Sequence, residues 1–206
     1  MTAFIALLRA VNVGGTGKLP MEDLKKLCER AGFRSVRTYI ASGNVVLQSD
    51  KTEADVKKSL EKELATYAGK PVGVHVRTAQ EMAQISAENP FPDARPSYCV
   101  AIFLDEKPPK ETLTTLKNQV DEQVALGRRE VYVHYGEGMG RSKLGIPAAK
   151  TGTARNMNTV AKLAEMAAEL EGSGAASTVP AAKAKTKSRT PKAKAAPKAK
   201  PRKAKS

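Results

Sequence analysis

Three polar blocks of this chain carry residue types that can hold an anion. The first contains Arg9, Asn12, Gly14, Gly15, Gly17 and Lys18, between an apolar stretch at 4–8 and Pro20. Glycines let backbone N–H groups approach a ligand, and an arginine or lysine adds charge. The block is not a Walker loop: Leu19 follows Gly17-Lys18 where Ser or Thr is needed, and Asn12 stands where the first glycine should be. A dinucleotide fingerprint is also absent. The plain alternative is a sharp strand-to-helix turn whose arginine is satisfied by carbonyls.

The second block runs from Arg37 to Asn44. Arg37 and Tyr39 share one face of an expected strand and can bind a phosphate or stack a ring. Ser42, Gly43 and Asn44 are good turn residues without any ligand. The third block joins Arg141, Ser142 and Lys143 to Thr151, Thr153, Arg155, Asn156 and Asn158, just ahead of an expected helix. Unpaired N–H groups and the helix dipole favour an anion there, whereas capping alone explains the Thr and Asn residues.

No block pairs an acid, a base and a nucleophile. If the chain is an enzyme acting on a phosphorylated or nucleotide substrate, Arg9, Arg37, Arg141 and Arg155 are the candidate electrostatic stabilisers. Tyr39 and Ser42 are then the candidate proton-transfer groups. His75 and His134 lie in expected strands with no second ligand at metal spacing, and Glu22 and Asp23 suit a helix start. Cys28 and Cys99 are too far apart and too few for a disulfide framework or a zinc site. No metal and no cofactor is expected, and a reduced cytosol is the simplest compartment.

The elements that must position these residues follow from periodicity. Residues 3–11 read as a buried strand. Residues 20–31 form an amphipathic helix with Pro20 at its start and Gly32 at its stop. Residues 35–41 and 44–48 pair as a hairpin around Gly43-Asn44. Helix 53–68 is capped by Thr52, with Val56, Leu60, Leu64 and Tyr67 as its stripe. A strand at 72–77 completes a β-α-β-β-α-β order, the ferredoxin-like pattern.

The pattern then partly repeats. A capping box at Thr78–Glu81 opens a short helix, 98–104 is a strong strand, and Pro109 opens a helix carrying Leu113, Leu116 and Val120. Strands at 123–126 and 130–135 and a last helix at 157–171 follow. The expected fold class is therefore α+β, with two related ferredoxin-like halves (1–78 and 79–171) forming a compact body.

The chain has 206 residues and a formal net charge of +14. Residues 172–206 hold 11 Lys/Arg and no Asp/Glu, leaving 24 against 21 in residues 1–171, so the body is nearly neutral. The tail is Ala, Lys and Pro with one larger aliphatic residue, Val179, so it is expected to be a disordered basic arm. Its cations are Lys183, Lys185, Lys187, Arg189, Lys192, Lys194, Lys198, Lys200, Arg202, Lys203 and Lys205. Their spacing resembles linker-histone and bacterial histone-like tails. Without aromatics, phosphate contact and counterion release would carry binding to DNA or RNA. A solubilising arm is the plain alternative. The short N-terminal apolar run, interrupted by Arg9, does not read as a signal peptide, and no segment approaches the roughly 20 apolar residues of a membrane span. The expected location is cytoplasmic, with the nucleoid as a candidate site.

Leu-Leu-Arg-Ala-Val-Asn-Val-Gly-Gly (7–15), Pro-Met-Glu-Asp-Leu (20–24), Val-Arg-Thr-Tyr-Ile-Ala-Ser-Gly-Asn-Val-Val (36–46) and Thr-Ala-Arg-Asn-Met-Asn-Thr-Val-Ala-Lys-Leu (153–163) resemble the bacterial domain-of-unknown-function family numbered 1697. Ala10 departs from it, because the family usually has glycine there. The resemblance spans about residues 2–170. It implies a compact α+β protein with two related halves and no settled activity. The expected function is binding of a small anionic or nucleotide-like ligand, with the tail holding nucleic acid. An enzyme and a ligand-free interaction domain are the alternatives.

Overall fold

Strand β1 (Thr2–Leu8) is the centre of the molecule because both of its faces are apolar and both are covered. Phe4, Ala6 and Leu8 point to one side, and Ala3, Ile5 and Leu7 to the other. A strand buried on both faces reads as a continuous apolar run, not as an alternation. The structure is a computed structural model that describes residues 1–12 and 18–175. Gly14 and Gly15, and the whole set of tail lysines and arginines, lie outside the described residues.

Around β1 stand α1 (Met21–Arg30), β2 (Arg34–Tyr39), β3 (Asn44–Ser49), α2 (Glu53–Ala68) and β4 (Val74–Thr78). They form a four-stranded antiparallel sheet ordered β2-β3-β1-β4. Thr52 caps α2 by accepting from the Asp55 amide, and Gly69 ends it in the left-handed region at φ 67°. Leu24, Leu27 and Cys28 of α1 and Val56, Leu60 and Leu64 of α2 cover one sheet face. Tyr67, expected in that stripe, is instead 44% exposed at the end of α2.

The remaining elements are α3 (Ala79–Ala87), β5 (Cys99–Phe103), β6 (Gln123–Leu126), β7 (Glu130–His134), β8 (Thr153–Asn156) and α4 (Met157–Ala175). The second sheet is also antiparallel, ordered β6-β7-β5-β8. Its inner residues Cys99, Ala101, Phe103 and Tyr132 share one core with α3, α4 and the second face of β1. The architecture is thus mixed α+β, with two four-stranded antiparallel sheets and four α-helices among the described residues. The reciprocal capping box of Thr78 and Glu81 forms as the sequence predicts.

The helix expected after Pro109 does not form. Only a 3₁₀ turn at Lys110–Thr114 is present, leaving Leu113 44% and Val120 88% exposed. The reason is tertiary: Lys117 exchanges both backbone hydrogen bonds with Gly145, at 2.9 and 2.8 Å, which an α-helix would forbid.

Buried polar groups stitch the two sheets together. Arg77, 1% exposed in β4, donates to the carbonyls of Leu104 at 2.6 Å and Arg129 at 2.8 Å, with its guanidinium 5.5 Å from the Phe103 ring centre. Burial pulls its pKa down. Arg129 forms ion pairs with Glu53 at 2.7 Å and Glu81 at 2.6 Å. His75 lies between Asp105 and the Thr151 carbonyl, each at 3.2 Å. Burial lowers its pKa, although both acceptors favour the charged ring. His75 is therefore a satisfied buried histidine.

Candidate functional site

The end of β1 is where separated blocks meet. Leu8 donates its amide to the Gly43 carbonyl at 2.9 Å, and Arg9 donates its own to Gly73 at 2.9 Å. The chain then takes two left-handed steps, at Ala10 (φ 51°) and Asn12 (φ 57°). The Asn12 carboxamide donates to the carbonyls of Leu19 at 3.0 Å and Ala41 at 2.7 Å, and accepts from the Leu19 amide at 2.8 Å. It ties the start of the glycine-rich segment to its end, and both to the turn between β2 and β3.

Arg155 of β8 reaches the same corner. Its Nε donates to Asn44, one terminal nitrogen to Thr153 Oγ1 and the Ala154 carbonyl, and the other to the carbonyls of Leu8 at 2.9 Å and Ser42 at 3.0 Å. All five N–H groups thus have protein acceptors, and none is a carboxylate. Burial lowers its pKa to about 10. Asn44, fully buried, completes the arrangement by donating to the Tyr39 carbonyl and to Ser42 Oγ, both at 3.0 Å. These hydrogen bonds brace the corner, and all the Arg155 donors are spent inside it.

Other candidate residues divide. Arg37 pairs with Glu169 at 2.8 Å across the surface, linking β2 to α4. Tyr39 packs half-buried against the middle core. Asn156 accepts from the Thr159 amide and caps α4. Arg141 and Lys143 line a separate depression of about 640 Å³ with Val120, Asp121 and Tyr135, where Ser142 hydrogen-bonds Glu122.

What remains open at the corner is a cleft of about 620 Å³. Arg9, Lys18 and Lys70 supply its charge, and Val11, Leu19, Leu64, Tyr67 and Val72 its apolar walls. Arg9 also donates to the Lys150 carbonyl at 3.0 Å, and Tyr67 Oη to Asp23 at 3.0 Å. No carboxylate is among the described residues lining it. Sequence reasoning missed Tyr67 and Lys70. Their only local signal is the Gly69-Lys70-Pro71 helix stop, which says nothing about lying beside Arg9. Among the described residues, no group of three or more His, Cys, Asp or Glu could hold a metal ion. No helix there is long and apolar enough to cross a membrane.

Two measurements follow from this geometry. Arg155→Ala strips acceptors at Leu8, Ser42 and Asn44 of a buried partner and should cost about 3 kcal/mol or more in urea unfolding; a loss under about 1 kcal/mol would remove its bracing role. Ala10→Gly relieves a left-handed alanine, which costs roughly 1–2 kcal/mol per residue, partly offset by unfolded-chain entropy. The unfolding midpoint should rise at unchanged m-value, and a fall would contradict the strain.

Comparison with known proteins agrees with the architecture. A conserved bacterial protein from Streptococcus pneumoniae superposes with a TM-score of 0.66 at 22% identity, over 81% of this chain and 98% of its own. At that identity the likeness is one of fold. No curated protein matches the chain. The family model "Protein of unknown function (DUF1697)" matches residues 1–132, which include the whole of the first sheet and the described residues lining the cleft. The chain belongs to the DUF1697 family.

Proposed function

We propose that the body binds a small anionic or nucleotide-like ligand in the corner cleft, and that the basic tail associates with DNA or RNA without sequence preference. The observation carrying the first part is the cleft's charge. Three cations, Arg9, Lys18 and Lys70, border apolar walls without a carboxylate among the described lining residues. Such a concave, mostly apolar site with a few convergent polar groups is the usual form of a small-molecule pocket. Its described lining residues offer no acid, base and nucleophile in one place, which favours binding over catalysis as the reading.

The fold supports a finer reading as well. The order β-α-β-β-α-β with strands arranged β2-β3-β1-β4 supports reading the first half as a ferredoxin-like unit. The second half keeps the strand arrangement but places its helices before β5 and after β8.

Thermal unfolding with inorganic phosphate, pyrophosphate or AMP tests the cleft. A ligand at 100 times its Kd adds about 2.7 kcal/mol, a rise of about 5–10 °C for a chain of this size. The rise should vanish in Lys18→Ala/Lys70→Ala. If all three probes leave the wild-type melting temperature unchanged, or the double variant keeps the shift, the cleft is not the site.

The tail is tested on the full chain with its 11 Lys/Arg replaced by Gln. Binding to duplex DNA should disappear in that variant. In the unmodified chain, log affinity should fall with log salt by about 0.9 per phosphate neutralised. Equal affinity of both chains would refute the tail's role.

A further inference from the structure

We infer that the occupant of the corner cleft is a nucleoside monophosphate, with its phosphate beside Lys18 and its base against Tyr67. This rests on the anion reading of the same cleft and adds the chemistry of the rest of the ligand.

The topology gives the cleft a direction. β1 and β4 are antiparallel, with Leu8 opposite Val74, so the end of β1 and the start of β4 lie at the same edge. α1 follows β1 and α2 precedes β4, so α1 begins and α2 ends at that edge. Lys18 and Leu19 line the cleft just ahead of α1, whereas Leu64, Tyr67 and Ala68 line it from the last turns of α2. The first helical bond of α1 runs from the Leu24 amide to Pro20, which leaves the amides of its first turn without intrahelical acceptors. α2 presents the opposite end of a dipole. Gly69 closes it in the left-handed region, and among the described residues no capping N–H bond returns to its last carbonyls. Glu22 and Asp23 in the first turn already balance the α1 dipole, so it is the Lys18 ammonium that suits negative charge at one end of the cleft, while the last carbonyls of α2 suit hydrogen-bond donors at the other.

The walls narrow the class further. Leu64, Tyr67 and Ala68, at i, i+3 and i+4, present one helical face to the cleft, which Val11, Leu19 and Val72 also line. Val11, Leu19 and Leu64 are already buried in the core, but an inorganic anion would leave the exposed part of the wall, Tyr67, Ala68 and half-buried Val72, in water. A fatty acid would cover the walls but leave the carbonyls at the end of α2 unpartnered, which is unfavourable once they are desolvated. A metal-bound polyphosphate would find no carboxylate among the described lining residues. A nucleoside monophosphate has a single phosphate for the Lys18 end, a flat ring for Tyr67, and hydroxyl or amino donors for the carbonyls. The Tyr67 hydroxyl donates to Asp23 of α1 and so fixes the ring where it lines the cleft.

Calorimetric titration of the full chain with AMP, adenosine and inorganic phosphate decides the matter. AMP should bind at least about 10-fold more tightly than either fragment. Base–aromatic stacking predicts that Tyr67→Ala weakens AMP by about 10-fold and leaves phosphate unchanged, whereas Tyr67→Phe keeps AMP binding. Lys18→Ala should weaken AMP and phosphate alike. If phosphate binds as tightly as AMP through Lys18 and Lys70, the anion site stands and the nucleoside assignment is overturned. If no probe binds, or the cleft variants bind as the wild type does, the anion reading itself falls and takes this inference with it.

Discussion

A guanidinium buried without a carboxylate must be surrounded by carbonyl oxygens, and much of this molecule is shaped around one such group. Arg155 is 8% exposed, and its cost of burial shows in a pKa lowered to about 10. Its acceptors come from the end of β1, the turn between β2 and β3, β8 itself and the side chain of Asn44. To present them, the turn adopts two left-handed residues, Ile40 at φ 48° and Gly43 at φ 76°. The carbonyls of Tyr39, Ala41, Ser42 and Gly43 all receive hydrogen bonds, from Asn44, Asn12, Arg155 and Leu8. An isoleucine in that region is strained, and the density of bonds around it holds it there.

Arg77 solves the same problem at the other end of the contact between the sheets. It too is buried and bonded to carbonyls, with an aromatic face beneath it. Multiple N–H groups in a fixed plane suit arginine to this work, and lysine would leave acceptors unfilled. Ion pairs join the two halves where solvent reaches, at Arg129 with Glu53, at Lys57 with Asp105 and at Arg37 with Glu169.

The candidate ligand cleft takes its form from this frame. The Arg9 amide is fixed by Gly73 and the Leu8 amide by Gly43, so the strand end cannot move independently of β4 or the turn. Asn12 pins both ends of the glycine-bearing segment. The arginine nearest the frame, Arg155, is consumed by it, whereas Arg9, Lys18 and Lys70 face the open space beside it. The structural cation and those lining the cleft thus sit within one corner and differ in what surrounds them. The DUF1697 match spans the cleft residues as well as three of the acceptors that Arg155 bonds, at Leu8, Ser42 and Asn44.

Local chemistry alone determined a good deal: the Thr52 cap, the Thr78–Glu81 capping box, the Gly32 and Gly69 stops, and the stripe Met157, Val160, Leu163, Ala167 and Leu170 on α4. Each depends on residues a few positions apart. Ala10 sits in the left-handed region at φ 51°, a conformation glycine adopts without strain. What the tertiary structure decided was which partner each polar residue meets. The sequence marked Arg9 and Arg155 as equivalent anion binders, but Arg155 faces five internal acceptors and Arg9 faces the cleft. It marked a helix after Pro109, but Lys117 found a backbone partner at Gly145. It passed over Tyr67 and Lys70, because nothing local tells that α2 ends beside β1. A side chain's type fixes what it can bond, but its role depends on groups that may lie a hundred residues away, and only folding brings those into reach.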